Sequence, residues 1–149
     1  MAINYLNLAL LNANSNSHKA KIHSDLAINY LFLNDLDKSE KEAILSNKLN
    51  SLNDLSISTR NSNTLGSCFL SKNKFESALN EFEKGLNFAK IVFGENDREV
   101  AKIYNKIAEV YWFQNNSEKA LSYYQKALTT LLPDYTPTDV FENPKSIYF

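Results

Sequence analysis

Tyr104-Asn105-Lys106-Ile107-Ala108-Glu109-Val110-Tyr111, followed downstream by Ala120-Leu121-Ser122-Tyr123-Tyr124-Gln125-Lys126-Ala127, is the stretch whose spacing decides the fold. Tyr104, Ile107, Ala108 and Tyr111 recur at three- and four-residue steps, which puts them on one face of an α-helix. Ala120, Leu121, Tyr124, Ala127, Leu128 and Leu131 form a second such face. Between them Gln114-Asn115-Asn116-Ser117 is a polar break, with Asn116 or Ser117 available as the N-cap of the second helix and Glu118 favourable in its first turn. The unit reads as helix, short turn, helix.

Working outward, the same pattern recurs twice upstream. The small residues Ala27, Gly66 and Ala108 lie 39 and then 42 positions apart. Three further columns share those offsets: Ser39, Ala78 and Ala120; Ala43, Phe82 and Tyr124; Ser46, Gly85 and Ala127. One coincident column arises by chance, but several with two common offsets mark an internal repeat. Small residues belong where two helices cross, because only they allow close backbone approach, and the aromatics fill the wider gaps beside them. A large side chain at Ala108 or Ala120 is expected to overpack the crossing, at a cost of about 1–3 kcal/mol.

Composition agrees with an all-α body. The 149 residues include 3 Gly and 3 Pro, too few for a turn-rich β fold or a Gly-looped nucleotide site. Pro133, Pro137 and Pro144 all follow Leu132, so the strongest helix breaker is confined to the end of the sequence. A net charge of −1 removes the bulk electrostatic case for nucleic acid. The single Cys68 excludes an internal disulfide framework and fits a reducing compartment. No stretch approaches the roughly 18 apolar residues of a membrane span, and Met1 to Leu11 lacks the positive leader of a secretory signal. The chain reads as soluble and cytoplasmic, with no membrane or nucleic-acid partner.

The pattern Tyr104-x-x-Ile107-Ala108-x-x-Tyr111, then Ala120-x-x-x-Tyr124-x-x-Ala127, resembles the tetratricopeptide repeat (TPR), with Pro133 within one residue of that family's closing proline. The middle unit matches at Leu65, Gly66, Phe69, Ala78, Phe82 and Gly85 and departs at Ser62, where a large residue is usual. The first unit matches at Leu26, Ala27, Tyr30, Ser39 and Ser46 but has His23 and the undersized Ala43. Ala2, Leu6 and Ala9 resemble the second helix of a still earlier unit. The periods exceed the usual 34 residues, so longer helices are expected. Gly94 to Ala101 is similar to the inter-repeat loop of kinesin-light-chain-like TPRs. A HEAT-type array also tolerates roughly 40 residues, but the constant 12-residue interval between small columns favours TPR.

The resemblance implies a right-handed superhelical array of antiparallel helix pairs, about seven helices over residues 1–133. The divisions fall at a half-unit 1–16 and units of about 20–58, 59–100 and 101–133, with an extended tail or junction at 134–149. It also implies that the first helix of each pair lines a concave groove. The stripe beside the packing face supplies the candidate groove residues Lys21, Ser24, Arg60, Asn63, Lys102, Asn105, Lys106, Glu109 and Trp112, with Ile28, Leu31, Ser67 and Leu70 beside them. Lys21, Arg60 and Lys102 form a basic row suited to an acidic partner, and Ser24, Asn63 and Asn105 a polar row suited to a peptide backbone. Surface Lys and Asn are also ordinary solvated residues, and Asn is abundant throughout this chain. Trp112 is either a peptide-facing anchor or a packing residue.

The remaining chemistry-bearing residues read as structural. Cys68, beside Gly66 and Phe69, is a small buried hydrophobe, and His18 and His23, five apart, lack the same-face spacing of a metal pair. Neither a phosphate loop, a ligand cluster nor a nucleophile with a base is legible, so no enzyme activity, cofactor or metal is expected. Function then divides into three readings. The first is a non-catalytic scaffold that holds a protein or peptide segment, acidic if the basic row is used. The second is a regulatory segment of a larger enzyme, because Pro133 to Pro144 is similar to segments joining TPR arrays to CHAT domains, a caspase-like protease family. The third is self-association through the exposed end helices.

Overall fold

A computed structural model describes residues 1–132, so Pro133, the tail and the CHAT-like junction lie outside the described residues. Seven helices follow one another: α1 (Ala2–Leu11), α2 (Asn16–Phe32), α3 (Leu36–Leu49), α4 (Leu55–Ser71), α5 (Phe75–Phe93), α6 (Arg98–Phe113) and α7 (Ser117–Leu131). No strand occurs among the described residues. Pairs α2/α3, α4/α5 and α6/α7 pack most closely, and each pair leans on the next through α3/α4 and α5/α6. First helices also meet one another, α2 against α4 and α4 against α6, whereas α3, α5 and α7 do not. The array therefore curves with α2, α4 and α6 on the inside.

Capping sets where the inner helices begin. Ser15 Oγ accepts from the His18 N–H, Asp54 from Ser56 and Ile57, and Asp97 from Glu99. Each cap satisfies an orphan donor and contributes about 1 kcal/mol. These caps start the helices at Asn16, Leu55 and Arg98, about one turn ahead of residues 20, 59 and 101. Much of the long period goes into that added turn and into α5, which runs for 19 residues. In the last unit Asn116, rather than Ser117, is the cap, accepting from Lys119, with Glu118 in the first turn.

Within each pair the chain reverses through one device. Asn34, Asn73 and Asn115 hold the left-handed conformation at φ 58°, 56° and 58°. The next residue closes each turn by donating its backbone N–H to the carbonyl of the aromatic residue five positions back: Asp35 to Tyr30, Lys74 to Phe69 and Asn116 to Tyr111, at 2.9, 2.8 and 2.9 Å. This is a Schellman closure, in which orphan carbonyls of the first helix are satisfied by the turn. Asn is one of the few residues with a Cβ that enter the left-handed region readily, because its short polar side chain can hydrogen-bond locally. The asparagines keep the 39- and 42-residue offsets of the small columns.

The small columns sit where the spacing puts them. Ala27, Gly66 and Ala108 are buried, and so are Ser39, Ala78 and Ala120. Where the first unit has serine rather than alanine, the hydroxyl is satisfied locally: Ser39 Oγ donates to the Ala27 carbonyl and Ser46 Oγ to that of Ala20, each at 2.7 Å. Ala43 is undersized because Leu65 of α4 packs into the same cluster. Phe82 is fully buried among Val100, Ile103 and Ile107 of α6, whereas Tyr124 in the same column is 39% exposed. The difference follows from position, since no further helix pair covers α7 among the described residues.

The two junctions between successive units differ in chemistry. Between the second and third, Phe82, Ala89, Val100, Ile103, Ile107 and Val110 form one apolar cluster. Between the first and second, the fully buried Asn61 of α4 donates to Ser46 Oγ and to Asn47 Oδ1, both at 2.8 Å. Its own Oδ1 is buried without a hydrogen-bond partner. The Cys68 thiol donates to Ser39 Oγ across the same junction at 3.3 Å.

Candidate functional site

The inner face is built by α2, α4 and α6, and the structure distributes the expected groove residues unevenly over it. Lys21 is exposed and has no carboxylate partner among the described residues. Arg60 of α4 reaches across to Asp25 of α2 in an ion pair between neighbouring inner helices. Lys102 pairs with Glu99 at 2.6 Å and Lys106 with Glu109 at 2.9 Å, both along α6. Asn105 is exposed, as the stripe requires. Trp112 is 60% exposed and its neighbour Phe113 is 59% exposed.

Two members of the polar row point elsewhere. Ser24 is only 1% exposed, and its Oγ is buried without a partner, so it is a packing residue and meets nothing in the groove. Asn63 is half-buried with its Oδ1 turned towards α5, where a Cβ on Gly85 would stand 2.8 Å from it. The carbonyl end of that amide thus packs on the outer helix of its own pair. Of the row Ser24, Asn63 and Asn105, Asn105 alone is exposed.

Two slots formed by the described residues open on the inner face. One, of about 390 Å³, lies between Ser67, Leu70 and Ser71 of α4 and Lys106, Glu109 and Phe113 of α6, closed at the turn by Asn73. The other, of about 350 Å³, lies among Tyr5 and Leu6 of α1, Asp25 and Ile28 of α2, and Arg60. Phe113, Ser71, Asn73 and Asp25 were missed by the stripe. Phe113 and Ser71 lie one position beyond its end, and Asp25 lies one position beside Ser24 on the same helix. A stripe one residue longer and wider would have found those three, whereas Asn73 lies in the turn beyond the end of α4, where helix spacing says nothing.

Residues with reactive side chains are held in packing roles. Burial pushes the Cys68 thiol up, keeping it protonated, and the Ser39 hydrogen bond offsets only part of that. His23 Nδ1 sits 2.5 Å from Glu42 Oε2, tying α2 to α3 within the first pair. His18 follows the Ser15 cap and its backbone N–H makes the capping bond. No group of three or more His, Cys, Asp or Glu able to hold a metal occurs among the described residues. No helix among them is long and apolar enough to cross a membrane.

Comparison with known proteins agrees with this geometry. A family model described as tetratricopeptide repeat matches residues 52–132. Among solved structures the chain is similar to BtubC (BKLC) from P. vanneervenii, a kinesin light chain-like TPR protein, with a TM-score of 0.74 and 22% identity. That likeness covers 89% of this chain and 54% of BtubC, so the chain spans about half the length of that protein. It is also similar to the N-terminal domain of stress-induced protein-1 (STI-1) from C. elegans, with a TM-score of 0.62 and 15% identity over 80% of this chain and 89% of that one. At these identities the likeness speaks to fold. No curated protein matches the chain.

Proposed function

Because the chain belongs to the tetratricopeptide repeat family, a family of protein-interaction scaffolds, we propose that it is a non-catalytic scaffold that holds a peptide segment of a partner protein along its inner face. The observation that carries this reading is the curvature: inner helices touch one another while outer helices do not, leaving a groove floored by α2, α4 and α6. Phe113, 59% exposed, lines the slot between α4 and α6, and Trp112, next to it in sequence, is 60% exposed. A peptide laid there would exchange water for apolar contact and for hydrogen bonds to Asn105, Ser67 and Ser71. The alternative, a regulatory segment contacting its own catalytic domain, rests on residues outside the described ones.

Panning a random peptide library displayed on phage against the full chain tests the reading, with a Ser67→Trp variant as the counter-selection. Clones that bind the protein and lose the variant are the expected result. No enrichment, or clones indifferent to the substitution, overturns the groove reading.

A further inference from the structure

The basic row suggested an acidic ligand, yet most of its charge is spent within the chain. Arg60 is held by Asp25, Lys102 by Glu99, and Lys106 by Glu109. Of the cations Lys21, Arg60, Lys102 and Lys106, only Lys21 has no carboxylate partner among the described residues. A ligand carboxylate arriving at Lys106 would have to displace or share Glu109, and would sit against that residue's negative charge. Its Coulombic gain at a lysine is thereby cancelled by repulsion a few ångströms away.

What the groove leaves uncompensated is apolar surface. The slot between α4 and α6 has Leu70 on one wall and Phe113 on the other, and Phe113 is 59% exposed. Its volume of about 390 Å³ lies at the lower end of the range of ligand clefts, ample room for one large side chain. Ser67, Ser71 and Asn73 at its edge offer uncharged donors and acceptors that suit a peptide backbone.

Resting on the reading of the groove as a peptide site, we propose that the slot between α4 and α6 takes one large apolar side chain from an uncharged peptide segment, and that the groove does not select acidic ligands. The partner is thus a segment with a Leu- or Phe-class anchor flanked by polar, uncharged residues. Leu70 and Phe113 grip the anchor, and the Lys106–Glu109 pair forms a charge-balanced wall that neither attracts nor repels the flanks.

The test uses three fluorescein-labelled twelve-residue peptides in one Ser/Asn host: unsubstituted, with a central Phe, and with that Phe flanked by four Glu. Anisotropy titrations of the full chain are run at low and high salt. The uncharged Phe peptide is expected to bind at least tenfold more tightly than either other peptide, with little change in salt. Phe113→Ala and, separately, Ser71→Trp should each weaken it at least fivefold while circular dichroism stays helical. The Lys21→Glu/Lys102→Glu variant should bind it within twofold of the parent. Tighter, salt-sensitive binding of the acidic peptide, lost in that charge-reversed variant, overturns the inference while leaving the groove reading standing. No binding of the Phe peptide overturns the inference as well, and the phage selection then decides the groove reading separately.

Discussion

The ring of Phe82 in α5 occupies the space that a side chain on Gly66 in α4 would need: a Cβ at Gly66 would stand 2.6 Å from ring Cε1 and 2.7 Å from Cδ1. The glycine is therefore the complement of the phenylalanine. In the first unit the same two columns hold Ala27 and Ala43, where a Cβ on one side is matched by a shortened residue on the other.

Gly66→Ala is expected to destabilise the protein by up to about 2 kcal/mol, because overpacking at about 1–3 kcal/mol is offset by the roughly 1 kcal/mol that alanine gains over glycine in a helix. In a Phe82→Leu background the same substitution should cost less, since the two side chains share one space. Urea unfolding of the four variants in the cycle measures both. Equal costs in the two backgrounds would contradict the complementarity.

Asn73 turns the chain between α4 and α5 at φ 56°. Replacing it with alanine should cost about 1 kcal/mol, the penalty for a Cβ in the left-handed region without a side chain that can hydrogen-bond locally. Asn73→Gly should be neutral or stabilising, because glycine carries no such penalty. The pair of thermal midpoints checks this, and the same ordering is expected at Asn34 and Asn115.

Alkaline pH should weaken the fold through Cys68. Burial raises its folded-state value above the ordinary 9.0, so the unfolded chain releases the proton first. Stability from this group is complete below 9.0 and is lost as pH rises beyond it, since the native state then binds more protons than the unfolded one. Lys72, raised by Asp37 and Glu40, and Tyr123, raised by burial, act in the same direction. Urea midpoints from neutral pH to above 9.0 should therefore fall less steeply in Cys68→Ala than in the parent, each relative to its own neutral value.

Amide hydrogen exchange should divide the array at the junction between its first and second units. An unsatisfied buried polar atom costs about 1–3 kcal/mol, and the α3/α4 junction carries one at Asn61 Oδ1 where the α5/α6 junction carries an apolar cluster. In an array whose stability is a sum over neighbours, α1 to α3 should exchange faster than α4 to α7. Uniform protection would contradict this.

The helix pairs were legible because crossings demand small residues at fixed intervals, and Ala27, Gly66 and Ala108 declare that demand directly. The turn asparagines were not, because in a chain so rich in Asn the residues at 34, 73 and 115 look like background until their φ values single them out. Ser24 failed for a different reason. A stripe at the border of a packing face faces either water or a neighbouring helix depending on how far the helix is rolled, and the packing of the adjoining helices sets that roll. Trp112 and Asn105 lie far enough towards the open side that the roll does not matter. The Arg60–Asp25 pair joins residues 35 positions apart on different helices, a relationship that spacing within one helix does not encode.

That ion pair ties α2 to α4 across the junction with the polar interior. Both ends of that strut stand in water, so it is worth at most about 1 kcal/mol, and salt would slacken it without straightening the arc, whose stiffness at that rung rests on the buried Asn61 amide.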